Sequence, residues 1–186
     1  MENNTEALEY LDIYISQASP KINQYLRNKT QESENEADNN IIQTLRTLFE
    51  GCEQPKTLYR VLPSCFVITN NSCYRDPAFL STSINLSDVL PKFAATHGNN
   101  ALLVINIPKG YPILDVNKHC PQYNDEGEII LLPDSSFYIT GQCSYSRHDG
   151  SNPISKFYEE YSDLLFDNLH DVEHLDVYYL IPTQSE

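Results

Sequence analysis

The sequence predicts an α+β fold, with a block of helices followed by a strand-rich core, on three observations. Apolar residues recur at helical spacing from the N-terminus to Glu50. After Pro55, short runs rich in β-branched and aromatic residues take over, each bounded by Gly, Pro, Asn or Asp. The two patterns are segregated along the chain, which separates α+β proteins from the alternating α/β class.

In the first segment, Glu2 to Ser19, the residues Ala7, Leu8, Leu11, Tyr14, Ile15 and Ala18 mark one helical face, and Pro20 is expected to interrupt it. A second short helix runs from Lys21 to about Asn28, with Ile22, Tyr25 and Leu26 on one side. The stretch 30–40 holds no large apolar residue, so burial cannot offset its ordering entropy, and it reads as an exposed linker. Ile41 to Glu50 resumes the helical pattern, with Gly51 as its stop. Strands are expected at 58–62, 78–84, 102–107, 128–132, 136–140 and 175–181. A short helix capped by Ser87 is expected over 87–96, and another around Phe157 to Leu169. The intervening loops at 63–77, 108–125 and 141–155 are long, and long loops are frequently binding elements.

With 186 residues, 40% of them apolar, the chain can bury one substantial core, and one domain is expected, helices over 1–50 and a β-rich core over 56–182. Twelve Lys and Arg against 26 Asp and Glu give a formal charge of −14, which argues against nucleic acid and favours basic partners. No apolar run is long enough to span a membrane and no basic leader opens the chain, so a soluble protein without a Sec-type signal is expected. The five cysteines are odd in number and form no CxxC pair, and the histidines lack HExxH spacing, so reduced thiols and no metal site are expected.

Four separated features bear on chemistry. Arg60 sits inside the apolar strand LYRVL, in a chain with only five arginines, where it either points to solvent or turns inward to meet an anion. Ser81, Thr82 and Ser83 alternate along a strand, which puts Ser81 and Ser83 on one face, a pattern also ordinary for half-exposed strands. Glu126 and Glu128 flank Gly127 at the entry to the strand IILL. In extended chain they would share a face, each raising the other's pKa unless a cation intervenes. Such a pair suits a site needing one carboxylate as hydrogen-bond acceptor and one as base. The fourth feature, YISQASPKINQYLR (14–27), is by itself an amphipathic helical segment.

Taken in order, YxSxxxxxINxxLR, an arginine on a strand, STS, and ExE opening a strand that ends in LLP, the sequence resembles the Arg-Ser-Glu class of mono-ADP-ribosyltransferases. That class includes clostridial binary-toxin enzymatic domains, bacterial exoenzymes and arginine-specific ectoenzymes. The resemblance runs from Tyr14 to Tyr138. It implies a two-sheet, mostly antiparallel β core around an NAD cleft, with NAD as co-substrate and no metal.

By the same resemblance Arg60 would hold an NAD phosphate, for which a guanidinium offers paired, charge-assisted hydrogen bonds. Ser81 would orient the nicotinamide ribose and the catalytic Glu128, with Thr82 and Ser83 supporting that strand. Glu128 would accept a hydrogen bond from the ribose and stabilise the oxocarbenium-like centre left as nicotinamide departs. Glu126 stands at the position where a glutamate accompanies arginine acceptors. Tyr123 matches an aromatic of the acceptor loop and would stack on a target guanidinium. Phe93 would cover the nicotinamide and Tyr14 would lie near the adenosine. Thr82 to Gly98 holds no second phosphate-binding arginine and Lys92 is the only cation there, and the segment 141–170 is longer than the resemblance requires.

The implied activity is transfer of ADP-ribose from NAD to a protein arginine, by a monomeric bacterial effector or toxin that reaches a host protein by a non-Sec route, or else stays cytoplasmic. Two other readings stay open: an NAD glycohydrolase on the same scaffold, and a catalytically silent module that binds a basic partner.

Overall fold

A computed structural model describes residues 2–28, 36–62, 73–89, 100–123, 127–148, 150, 154–160 and 172–183. In chain order the helices are α1 (Glu2–Ile13), α2 (Ser19–Arg27), α3 (Glu36–Arg46), α4 (Leu86–Val89), α5 (Val116–His119) and α6 (Ile154–Glu160). The strands are β1 (Glu50–Gly51), β2 (Lys56–Leu62), β3 (Cys73–Asp76), β4 (Leu80–Ser83), β5 (Asn100–Ile107), β6 (Pro112–Asp115), β7 (Glu128–Leu131), β8 (Ser135–Ser146) and β9 (His174–Pro182). Helices first and strands after is the expected α+β order. Among the described residues no helix is long and apolar enough to cross a membrane.

The chain forms two compact units: Met1–Gln54 with Arg75–Ser81 and Pro108–Ser135, and Pro55–Tyr74 with Thr82–Ile107 and Ser136–Glu186. In the first, the N-terminal helices enclose an apolar core of Ala7, Leu11, Tyr14, Ile22, Leu45 and Phe79, among others, with Leu114 and Ile130 from the strands. Pro20 does not break the first helix as expected. A π-helical turn, Tyr14–Ala18, joins α1 to α2, and the Ser19 N–H donates to the Tyr14 carbonyl five residues back. The widened turn carries the chain into Pro20 at the start of α2, where a missing N–H costs nothing. Likewise α3 begins at Glu36 rather than Ile41, so 36–40 are helical and not linker. Acidic residues early in a helix suit its dipole, and Asp38 there meets Lys21 at 2.8 Å.

Within this unit β6 pairs antiparallel with β1 and with β7. Asp115 caps α5 by accepting from the Lys118 N–H at 3.3 Å. Both β6 and α5 fall in the stretch expected to be loop. They were hidden because PILD and VNKH are each a single short element with no room for a period. The same holds for β3, in the expected loop 63–77. At the end of β3, Asp76 is 5% exposed. It takes both arms of the Arg27 guanidinium, at 3.2 Å from Nε and 2.9 Å from Nη2, and also accepts from the Ala78 N–H at 2.9 Å.

In the second unit β2 pairs antiparallel with β4 and β5, β5 runs parallel to β9, and β9 pairs antiparallel with β8. The antiparallel character expected of the β core holds among these pairs apart from the parallel β5–β9 pairing. Leu102, Leu103, Val104 and Ile105 of β5 are all buried, so both faces of that strand are covered. Leu102, Val104, Val177, Tyr145 and Phe157 share one core, where the Tyr145 and Phe157 rings meet edge to face at 5.4 Å. The strand expected at 136–140 continues to Ser146. Gly141 marks a register shift within β8 and not its end, so the expected loop 141–155 is partly strand. Ser87 lies inside α4 and does not cap it. The continuation of the two expected helices, over 90–96 and 161–169, lies outside the described residues.

Removing Arg27 strands a buried carboxylate. Arg27→Ala is expected to destabilise the fold by about 2–4 kcal/mol, read as a lower midpoint in urea unfolding. Asp76→Asn, which keeps an acceptor for the Ala78 N–H, is expected to cost less.

Candidate active site

The site is built on two strands of the first unit. β4 begins after the Asp76 turn, where Phe79 is fully buried against Tyr14 at 5.4 Å and Phe49 at 6.2 Å between ring centroids. Those ring contacts fix the phase of the strand, and Ser81 follows two residues on. The Ser81 hydroxyl donates a hydrogen bond to a Glu128 carboxylate oxygen. Both side chains are half-buried, while Ile129, Ile130 and Leu131 after Glu128 are buried and lock the strand in place. A hydroxyl directed at a carboxylate holds its rotamer.

Gly127 precedes Glu128 with φ of 54°, a left-handed conformation that suits glycine. The chain therefore turns at Gly127 and strand β7 starts only at Glu128. Glu126 itself, like Phe93 and Lys92, lies outside the described residues.

Thr82 and Ser83 are 4% and 5% exposed, at the end of β4 that belongs to the second unit. Ser83 stabilises the turn into α4. Its hydroxyl accepts from the Asn85 N–H at 2.9 Å and donates to Asp88 at 3.1 Å, and the Asn85 amide donates to the same Asp88 oxygen at 3.0 Å. Thus the three hydroxyls of STS do not act alike: Ser81 addresses Glu128 and Ser83 addresses the following turn.

Arg60 lies on β2 of the second unit, opposite Leu103 of β5, and is half-buried. Its neighbour Tyr59 pairs with Ser83 across β2 and β4. Tyr14 is 2% exposed at the start of the π-helical turn. Its hydroxyl takes a hydrogen bond from the Asn23 amide at 3.0 Å, so the tyrosine and the asparagine of the N-terminal motif form one polar pair. Tyr123, in a 3-10 turn, is half-buried, packs its ring on the helical core and donates its hydroxyl to Asp12 at 2.8 Å.

Sequence reading missed Asp12, Asp76 and Asp88, the three carboxylates that fasten these segments. For Asp76 a signal existed in the Asp-Pro step at 76–77, a turn-forming pair, and in Arg27 of the N-terminal motif. Asp12 had none, since its partner is 111 residues away.

No family model matches the chain, and no curated protein matches it in sequence. Solved structures do match its fold. Plx2a, an ADP-ribosyltransferase toxin from Paenibacillus larvae, is similar with a TM-score of 0.65 at 16% identity, over 96% of this chain and 86% of that one. BECa, an ADP-ribosylating toxin of a binary enterotoxin of C. perfringens solved with NADH, gives 0.68 at 14% identity, over 98% of this chain and 44% of that one. The ADP-ribosyltransferase Vis in complex with agmatine gives 0.62 at 18% identity, over 100% of this chain and 76% of that one. The chain spans less than half the length of BECa. The architecture is that of the ADP-ribosyltransferase fold, as the N-terminal helices, STS strand and ExE strand implied.

Among the described residues four tyrosines have a raised pKa: Tyr59, Tyr111 and Tyr178 chiefly through burial, and Tyr123 chiefly through its hydrogen bond to Asp12. A phenol raised in the folded state stabilises it fully below the unfolded pKa of about 10. That stability is lost as pH climbs through the folded pKa, because the unfolded chain ionises first. Denaturation midpoints are therefore expected to fall above about pH 10, and Tyr111→Phe and Tyr178→Phe to blunt the fall.

Proposed function

We propose that the protein is a mono-ADP-ribosyltransferase that cleaves NAD and transfers ADP-ribose to a protein arginine, releasing nicotinamide. The observation that carries this reading is the Ser81 hydroxyl directed at the Glu128 carboxylate in a chain with this fold. Glu128, held by Ser81, accepts a hydrogen bond from the nicotinamide ribose and places negative charge beside its anomeric carbon. As the bond from that carbon to nicotinamide breaks, the electron pair leaves with nicotinamide and the ribose becomes oxocarbenium-like. A fixed carboxylate stabilises such a centre without having to reorganise.

Arg60 supplies the phosphate contact, a role that suits a half-buried guanidinium. Thr82 and Ser83 support the cofactor strand, Phe93 covers the nicotinamide, and Tyr14 contributes through its hydroxyl on the adenosine side. For the acceptor, Glu126 binds the arginine and takes a proton as a guanidinium nitrogen attacks the anomeric carbon, with Tyr123 stacking on the same group. Two observations on relatives support this choice of substrates: BECa was solved with NADH, and Vis with agmatine, a guanidinium compound. The formal charge of −14 suits a basic target. The toxin relatives favour a protein of another cell as that target, reached by secretion.

Incubation with labelled NAD and agmatine, and then with a eukaryotic lysate, is expected to release nicotinamide and label protein on arginine, assigned by mass spectrometry. Glu128→Gln, which still accepts from Ser81, is expected to lower transfer by about a hundredfold or more. Undiminished transfer in that variant would sink the mechanism, and labelling of another residue type would sink the acceptor. NAD loss without label would identify a glycohydrolase, and partner binding without NAD turnover a silent module.

A further inference from the structure

We propose that Asp12 is a positioning residue for acceptor choice: its carboxylate latches the turn that carries Tyr123 and thereby sets how ADP-ribose divides between a guanidinium and water. The inference rests on the transferase reading above and concerns a residue that takes no part in NAD cleavage.

The turn Pro121–Tyr123 ends five positions ahead of Glu128 and directly before the stretch that holds Glu126. On its N-terminal side it is pinned by Cys120, 3% exposed, whose N–H donates to the Val116 carbonyl at 2.7 Å and whose carbonyl accepts from the Tyr123 N–H at 3.0 Å. Its other anchor is Asp12. One oxygen of that carboxylate accepts both the Tyr123 hydroxyl at 2.8 Å and the Gln122 amide at 3.3 Å. These bonds tie α1 to a turn more than 100 residues away in sequence, within a single compact unit.

Asp12 lies two residues before the π-helical turn, and the Ser16 hydroxyl donates to the Asp12 carbonyl at 2.7 Å across that junction. The local geometry of α1 thus fixes the carboxylate, and the carboxylate fixes the Tyr123 ring against the helical core. An acceptor must be held against the anomeric carbon for the lifetime of a reactive centre, whereas water needs no such hold. Loosening the ring therefore penalises guanidinium attack and spares hydrolysis.

The test uses the full chain and reads two products separately, ADP-ribosyl agmatine and free ADP-ribose. Loss of a hydrogen bond to a charged group is expected to lower the transfer-to-hydrolysis ratio of Asp12→Ala about tenfold. The KM for agmatine should rise while that for NAD stays within about twofold of wild type. Asp12→Asn, which keeps an acceptor oxygen, should restore most of the ratio and controls for folding. Tyr123→Phe should lower the ratio as well, and the double variant should fall no further than Asp12→Ala, since both single variants break the same Tyr123–Asp12 bond.

Equal loss of both products in Asp12→Ala, or additive effects in the double variant, would overturn the latch. An unchanged ratio in Asp12→Ala, with normal wild-type transfer, would overturn it alone. A wild-type protein that transfers nothing to agmatine would overturn the transferase reading and the latch with it.

Discussion

A carboxylate that is 5% exposed must be matched by charge and by hydrogen bonds, and in the first unit Asp76 sets that demand. Arg27, the last residue of α2, meets it with two bonds from one guanidinium, and the Ala78 N–H adds a third. The consequence is geometric. Asp76 closes β3, so the bonds fix where the chain turns toward β4. Phe79 then seats between Tyr14 and Phe49, and Ser81 arrives in register to address Glu128. The N-terminal helices are thereby a mould for the STS strand and not simply a cover for it. An aliphatic pair at 27 and 76 would pack as well, but it would leave the Ala78 N–H without this acceptor and the turn less defined.

The π-helical turn belongs to the same construction. An uninterrupted α-helix through Pro20 would set the ring against the Ser16 carbonyl and lose a backbone bond. Widening the turn over Tyr14–Ala18 removes that conflict and keeps α1 and α2 as successive helical segments. Tyr14 is buried on one side of it and Asn23 reaches back across it, while Asp12 lies just before it. Sequence positions nine apart, Tyr14 and Asn23, become hydrogen-bonded neighbours because the helix is not regular there.

Much of this was legible in the sequence wherever periodicity ran long enough. The apolar face of the first helix, from Ala7 through Leu11 to Tyr14, is buried as its spacing required, and each of the six expected strands overlaps an observed one. What escaped was short or tertiary. The four-residue β3, β6 and α5 carry no period, and Gly141 reads locally as a stop when the strand continues through it after a register shift. In the site, Ser81 and Glu128 were expected together and lie together, 47 residues apart in sequence. At φ of 54°, Gly127 departs from the extended backbone assumed for it. A glycine between two carboxylates is itself the local clue to a turn, and alternation could not register it.

The charge balance explains how the acids are held. With 26 acidic residues and 12 lysines and arginines, cations cannot serve most carboxylates, and hydroxyl donors take over at several of the positions that matter here. Ser81 addresses Glu128, Ser83 addresses Asp88, Tyr123 addresses Asp12 and Ser144 addresses Asp176. The distinction bears on the proposed function. A guanidinium on Glu128 would orient the carboxylate but also cancel the field it is proposed to exert on a developing cation. A serine hydroxyl orients it by hydrogen bonding and leaves its unit charge in place. Arg27, a cation, faces a carboxylate that positions backbone, whereas a neutral hydroxyl at Ser81 suits the electrostatic role proposed for Glu128.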